Sequence, residues 1–189
     1  MKKGTIKISL ILALTLILSL TATALAPGFS DYDATASVTI SGTSNAALEI
    51  VSAKTGVKIS FTPDACPASV TSVVLETKAL KGDDQTKVIN DAKKAKLSKE
   101  SATIGANYNI SVVSAVTLQL FDQNKKEITK LTKPITITVP LPRKANTIAY
   151  INPDTSELVI LEGTIKGGFI TFETDIVGVN FVFLYLNKK

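Results

Sequence analysis

The chain has 189 residues, 45% of them hydrophobic, 20% charged and 6% aromatic, which suits one globular domain and excludes long disorder or low-complexity fibre. Histidine and tryptophan are absent and cysteine occurs once, so His-dependent triads, His-ligated zinc, an internal disulfide and a thiolate metal cluster are excluded. The formal net charge is +5, and three of the 21 basic residues, Lys2, Lys3 and Lys7, fall in the first seven positions.

Those lysines form a basic n-region ahead of an apolar run, Ile8 to Leu20, of secretory h-region length and too short for a membrane span. Small-residue cleavage signals overlap at Ala22-Thr23-Ala24 and Ala24-Leu25-Ala26; Pro27 would follow the second directly, so cleavage is expected after Ala24. Residues 1–24 therefore read as a signal peptide, with an uncleaved N-terminal anchor as the other reading. No cysteine lies near the junction, which excludes a lipidated form. Removing Lys2, Lys3 and Lys7 leaves 18 basic residues against 16 acidic, net +2, too balanced for counterion release to drive nucleic-acid binding. The expected location is secreted or extracellular, with cell-surface association, and the membrane is met only in transit through the signal peptide.

Residues 25–46 are small and polar and read as a linker or N-terminal arm, with Ser37–Ile40 as a candidate strand. Residues 47–189 read as the folded domain. Val57, Ile59 and Phe61 alternate with Lys58 and Ser60. Val116, Leu118 and Leu120 alternate with Thr117 and Gln119; Ile135, Ile137 and Val139 alternate with Thr136 and Thr138 before Pro140 ends the run. From Val177 to Leu186 both alternating sets are apolar, which suits a strand at the centre of a sheet or covered by another element. That spacing puts Tyr185 in the core stripe with Phe181 and Phe183, and Tyr108 and Tyr150 are also expected to be buried. Turns are expected at Asp122–Lys126, Asn152–Ser156 and Lys166–Gly168. The pattern predicts an all-β, Ig-like β-sandwich of roughly eight to ten strands.

Residues 83–97 break the rhythm. Val88, Ala92 and Ala95 share a helical stripe, acids come early and lysines late, and Asp83 or Asp84 is placed to cap. One α-helix is therefore inserted between strands. Its Lys93, Lys94, Lys96 and Lys99 are candidates to contact an anionic wall polymer, although such runs are commonly just a solvated face.

Candidate chemistry is sparse. Asp83, Asp84, Glu76, Glu127 and Glu173 could supply a carboxylate pair for glycoside hydrolysis, but few aromatics exist to line a sugar cleft. Asp122–Glu127 faintly resembles a calcium loop, yet a lysine takes a ligand position and the sharp-turn glycine is missing, so a polar hairpin turn is the better reading. Asn109-Ile110-Ser111 satisfies a glycosylation sequon in a segment that reads as strand. No catalytic residue, cofactor or metal site is expected.

Several phrases together carry a resemblance. They are Phe61-Thr62-Pro63-Asp64-Ala65-Cys66-Pro67, the Leu120-Phe121-Asp122 hairpin with Lys126 and Ile128, Ile135 to Pro142 (ITITVPLP), and Gly168 to Asp175 (GFITFETD). Over residues 47–187 the chain resembles the accessory β-sandwich modules of Gram-positive, notably clostridial, extracellular and cellulosome-associated surface proteins. It departs from their pattern at Cys66, after Asp154 and at Ile176-Val177-Gly178. The resemblance implies scaffold more than activity. Together with the leader it implies a non-catalytic binding or adaptor module at the bacterial cell surface, recognising polysaccharide or a protein partner. The candidate ligand face is the polar side of two strands, Thr117, Gln119, Thr136 and Thr138, a composition that β-propensity on a solvated face also favours. The alternative is a structural subunit of an extracellular fibre or layer that self-assembles, with the 25–46 arm as an added strand.

Overall fold

The computed structural model describes residues 34–40 and 47–189. The expected signal peptide and most of the arm lie outside the described residues. In chain order the elements are β1 (Ala34–Thr39), β2 (Leu48–Val51), β3 (Lys58–Phe61), β4 (Ser72–Ala79), α1 (Gly82–Lys94), α2 (Ala102–Asn107), β5 (Tyr108–Phe121), β6 (Glu127–Ile128), β7 (Lys130–Pro140), β8 (Thr147–Ile151), β9 (Leu158–Leu161), β10 (Gly163–Lys166), β11 (Phe169–Ile176) and β12 (Val179–Lys188). They form an all-β sandwich with the helical segment inserted between β4 and β5.

The first sheet runs β1-β4-β5-β12-β8-β9, with β6 also paired to β5; the second runs β10-β11-β7-β3-β2. Every pairing between these strands is antiparallel. The alternating residues read from the sequence face one another across the sandwich. Ile59 and Phe61 of β3, Val116, Leu118 and Leu120 of β5, and Ile135, Ile137 and Val139 of β7 all join one buried cluster. Burying each such side chain contributes about 1.5–3 kcal/mol before chain entropy is charged against it. The candidate strand at Ser37–Ile40 is β1, which pairs with β4 at the edge of the first sheet.

Turn chemistry fixes the hairpins. Between β10 and β11, Lys166 pairs with Phe169, so Gly167 (φ 60°) and Gly168 (φ 81°) make a two-residue loop whose left-handed backbone favours glycine. At Asp122–Lys126 the Asp122 carboxylate accepts the amides of Asn124 (2.8 Å) and Lys126 (2.9 Å), while Lys125 takes a left-handed φ of 60°. This is a self-capped hairpin turn. The aspartate that headed the faint calcium pattern is engaged with its own backbone.

The strand read as apolar on both faces is central. β12 lies between β5 and β8. Phe181 and Phe183 enter the core between the sheets, whereas Val182 and Leu184 face a second cluster with Val88 and Ala92 of α1. The helix can sit close because Val182 is flanked in register by two alanines, Ala115 and Ala149. α1 begins at Gly82 and ends at Lys94, three residues short of expectation, because Ala95 turns to an extended backbone. Neither expected aspartate caps it. Lys81 occupies the N-cap position, and Asp83 and Asp84 lie in the first turn, where they still complement the helix dipole. The segment after α1 then shields the outer edge of β9. Leu158 donates to the Lys96 carbonyl (2.7 Å), Ser98 donates to Leu158 (3.0 Å), and Ile160 donates to the Ser101 hydroxyl (2.8 Å).

Tyr150 is buried, with its ring edge-on to Phe181 at 6.2 Å, and Tyr108 is half-buried. Tyr185, expected in the core stripe, is instead 42% exposed. Alternation identified its face correctly but says nothing about how far the opposing layer reaches. The β5–β12 ladder continues to Tyr108 and Lys188 with a register shift after Phe183, and its lower inward positions, Ser111, Asn109, Tyr185 and Asn187, are exposed.

Phe181→Ala is expected to cost about 3–5 kcal/mol. Ser114→Ala removes a buried hydroxyl with no hydrogen-bond partner, and should leave stability within about 1 kcal/mol or raise it. Urea unfolding followed by circular dichroism measures both, and a Phe181→Ala loss under about 1 kcal/mol would contradict this core assignment.

Candidate functional site

The four residues read as one ligand face belong to different sheets. Val116, Leu118 and Leu120 point between the sheets, so Thr117 and Gln119 lie on the outer side of the first sheet, the side that α1 packs against. Their polar groups are engaged locally. The Thr117 hydroxyl donates to Asn180 (2.7 Å), and the Gln119 amide donates to Glu127 (2.9 Å). Thr136 and Thr138 lie on the outer side of the second sheet. The sandwich core separates the two pairs.

The outer face of the second sheet gathers partners from other strands instead. Pairing aligns Thr164, Thr171, Thr138, Lys58 and Val51 in one cross-strand row, and Glu173, Thr136, Ser60 and Glu49 in the next. Thr138 and Thr171 share a hydroxyl hydrogen bond of 2.9 Å. Lys58 and Glu49 form a solvent-exposed ion pair at 2.5 Å, of little energetic weight. Among the described residues the two α-helices pack on the first sheet, against β5 and β12, and not on this face.

A shallow concavity of about 550 Å³ opens at its β10–β11 end, lined by Thr136, Thr164 and Thr171 together with Glu162 and Glu173. Beside it, Gly163 pairs with Phe172 on the inward side, where a Cβ would come within 2.9 Å of the buried Ile170 side chain and 3.1 Å of the Thr171 carbonyl, so glycine lets β10 lie close to β11. The floor offers hydroxyls that both donate and accept, and the rim offers two acceptor carboxylates. Thr171 and Glu173 carry the same period-two signal as Thr136 and Thr138. What the sequence does not display is that their strands are neighbours.

Lys93, Lys94, Lys96 and Lys99 are all exposed. They lie beside the start of β9, flanked by Asp91 and Glu100, and Lys94 shares a shallow concavity with Asp91 and Ser156. The run therefore does not merge into a larger basic surface. The carboxylates weighed for glycoside hydrolysis do not all gather in one place, although Glu76 and Glu127 both flank Gln119. Glu76 pairs across strands with Gln119 on the first sheet, Glu127 bonds Gln119, Glu173 is on the second sheet, and Asp83 and Asp84 open α1. Among the described residues no three His, Cys, Asp or Glu side chains come together as metal ligands.

Two further groups are structural. Lys133 and then Thr62 donate to the Asp64 carboxylate and hold its pKa below the ordinary value, tying the short 3₁₀ turn at Pro63–Ala65 to β7. Cys66 is free and 4% exposed, and burial pushes its thiol up to about 11. No family model matches the chain, and no curated protein matches it.

At pH 8 a thiol with that pKa is ionised in about one molecule per thousand. Cys66 should therefore resist a thiol-titrating disulfide reagent in the native state and react promptly after unfolding. Because the folded pKa is raised, the unfolded chain loses this proton first. Stability should fall as pH climbs from about 9 to about 11, and Cys66→Ala should remove that component. Rapid native labelling, or a dimer band on a gel that collapses with reductant, would contradict the burial.

Proposed function

We propose that the chain is a secreted, non-catalytic binding module of the bacterial cell surface whose ligand face is the outer side of the second sheet. The observation that carries this reading is the hydroxyl row Thr164–Thr171–Thr138 with Thr136, opening into a concavity lined by Glu162 and Glu173 on a face that no other layer covers among the described residues. A polyhydroxylated polymer can exchange water hydrogen bonds for bonds to these groups at little net cost and gain specificity from their fixed spacing. The two rim carboxylates disfavour an anionic polymer and suit a neutral or amino-sugar glycan. The leader and the resemblance to accessory modules of Gram-positive surface and cellulosome-associated proteins support the same reading. So does the absence of histidine from the sequence, which removes the usual general base near neutral pH.

The alternative is self-assembly into a fibre or layer. It is supported by β10, which ends the second sheet with all four residues exposed and so offers an unpaired edge.

Retention on insoluble cell wall and on cellulose tests the first reading. Thr136→Ala, Thr138→Ala and Thr171→Ala together should weaken retention about tenfold or more while leaving the fold intact, each lost hydrogen bond contributing about 1 kcal/mol. No retention on either polymer, with hydrolysis of a glycan or peptide substrate, would reject a binding module. An oligomer on size exclusion that disperses when β10 carries a proline would favour assembly.

A further inference from the structure

The loops at the two ends of the sandwich differ in charge. One end collects Ser52–Val57, Leu141–Asn146, Lys166–Gly168 and the C-terminal Asn187–Lys189. Their proximity is shown by Leu141 donating to the Gly168 carbonyl (2.8 Å), Asn146 donating to Leu184 (2.8 Å), and the approach of Gly56 to Phe169 and Pro140. These four segments carry Lys54, Arg143, Lys144, Lys166, Lys188 and Lys189 and contain no Asp or Glu. At the other end the loops after β3, β5 and β8 mix Asp64, Asp122, Asp154 and Glu157 with Lys125 and Lys126, and the segment near the start of β9 mixes its lysines with Asp91 and Glu100.

A second property falls on the same end. Among the described residues the exposed large hydrophobic side chains are Val51 (53%), Ile165 (47%) and Tyr185 (42%). Val51 is the last residue of β2 and precedes the Lys54 loop, Ile165 precedes Lys166 in β10, and Tyr185 is three residues before Lys188. Lys144, at the tip of a turn closed by Ala145 donating to Pro142 (3.0 Å), is held at a left-handed φ of 77°, which is uncommon for a residue with a side chain.

We propose that this end docks the protein on an anionic bilayer surface. Six cations in these segments, one of them (Lys189) also donating to the Gly105 and Ala106 carbonyls, outweigh Asp83 and Asp84 where β4 leads into α1 toward the same end, and the net positive charge matches a layer of anionic headgroups. The three apolar side chains supply what a purely electrostatic contact lacks. Tyrosine favours the membrane–water interface, and the two aliphatic chains gain by leaving water for the headgroup boundary. A hydrated anionic glycan would use the cations but give Val51 and Ile165 little in return. The surface extends the sequence reading, in which the membrane is met only in transit. It adjoins the hydroxyl face at Val51, which ends the row Thr164–Thr171–Thr138–Lys58, while the concavity lies at the opposite, β10–β11 edge of that face.

Co-sedimentation of the chain, as its host processes it, with phosphatidylcholine vesicles with and without about one-third phosphatidylglycerol tests this directly. Binding is expected on the anionic vesicles and should fall with added salt. Each Lys or Arg near the surface is worth about fivefold in affinity, so Arg143→Glu, Lys144→Glu and Lys166→Glu together should weaken binding by about 100-fold or more. Tyr185→Ser should weaken it less and without changing the salt dependence. Circular dichroism checks each fold. Should the triple variant not fold, Lys54→Glu with Lys188→Glu reads the same surface from other segments. Equal retention on neutral and anionic vesicles, no retention on either, or unchanged binding by folded charge-reversed variants would overturn the proposal. So would binding to soluble polygalacturonate without binding to vesicles. Thr138→Ala with Thr171→Ala should leave vesicle binding unchanged, which separates this surface from the glycan face.

Discussion

Burial of β12 on both faces is the constraint on which the rest of the architecture depends. Phe181, Val182, Phe183 and Leu184 are each fully buried, yet consecutive residues of a strand point in opposite directions. A sandwich of two sheets can bury only one of the two sets. The other requires a third layer, and α1 supplies it with Val88 and Ala92, seated over Ala115 and Ala149. The small side chains beside Val182 let the helix approach, so the helical insertion and the last strand are mutually specified although at least 85 positions separate them in sequence.

Which surfaces remain free follows from that layering. The inner faces of both sheets form the core, the outer face of the first sheet receives the helix, and the β9 edge is paired to the segment after α1. Among the described residues, the outer face of the second sheet and the loop-bearing ends are the surfaces that no further layer covers. The two differ in chemistry. The face is built of hydroxyls with two carboxylates at its rim, whereas the end carrying Arg143, Lys144 and Lys166 is cationic and rimmed by apolar side chains. A face that repels anions and an end that attracts them would orient the molecule on a charged surface without competing for one ligand.

How much was legible in the sequence depended on whether the information was local. Period-two alternation placed the strands around Ile59, Leu118 and Ile137, the glycine pair placed the β10–β11 hairpin, and the two-faced run at Phe181–Leu184 implied a covered central strand. Local signals failed where distance along the chain mattered. Thr117 and Thr138 look equivalent in sequence, but sheet membership puts them on opposite sides of the molecule, and Thr138 meets Thr171 only through the pairing of β7 with β11. Tyr185 follows the core parity of Phe183 and is exposed because the opposing layer does not reach it. The Lys93–Lys99 run was conspicuous because it is contiguous. The cationic end was not, since its charges come from four separate segments with one or two each.

Native-state hydrogen exchange measures the central role of β12 most directly, because the amides that open only with global unfolding mark the elements the fold cannot lose. Phe181–Leu184 are expected among the slowest-exchanging amides, at the free energy of complete unfolding, while the exposed edge strand β10 exchanges far faster. Exchange of Phe181–Leu184 at rates comparable to β10 would show that the sandwich stands without its two-faced strand, and would contradict the account.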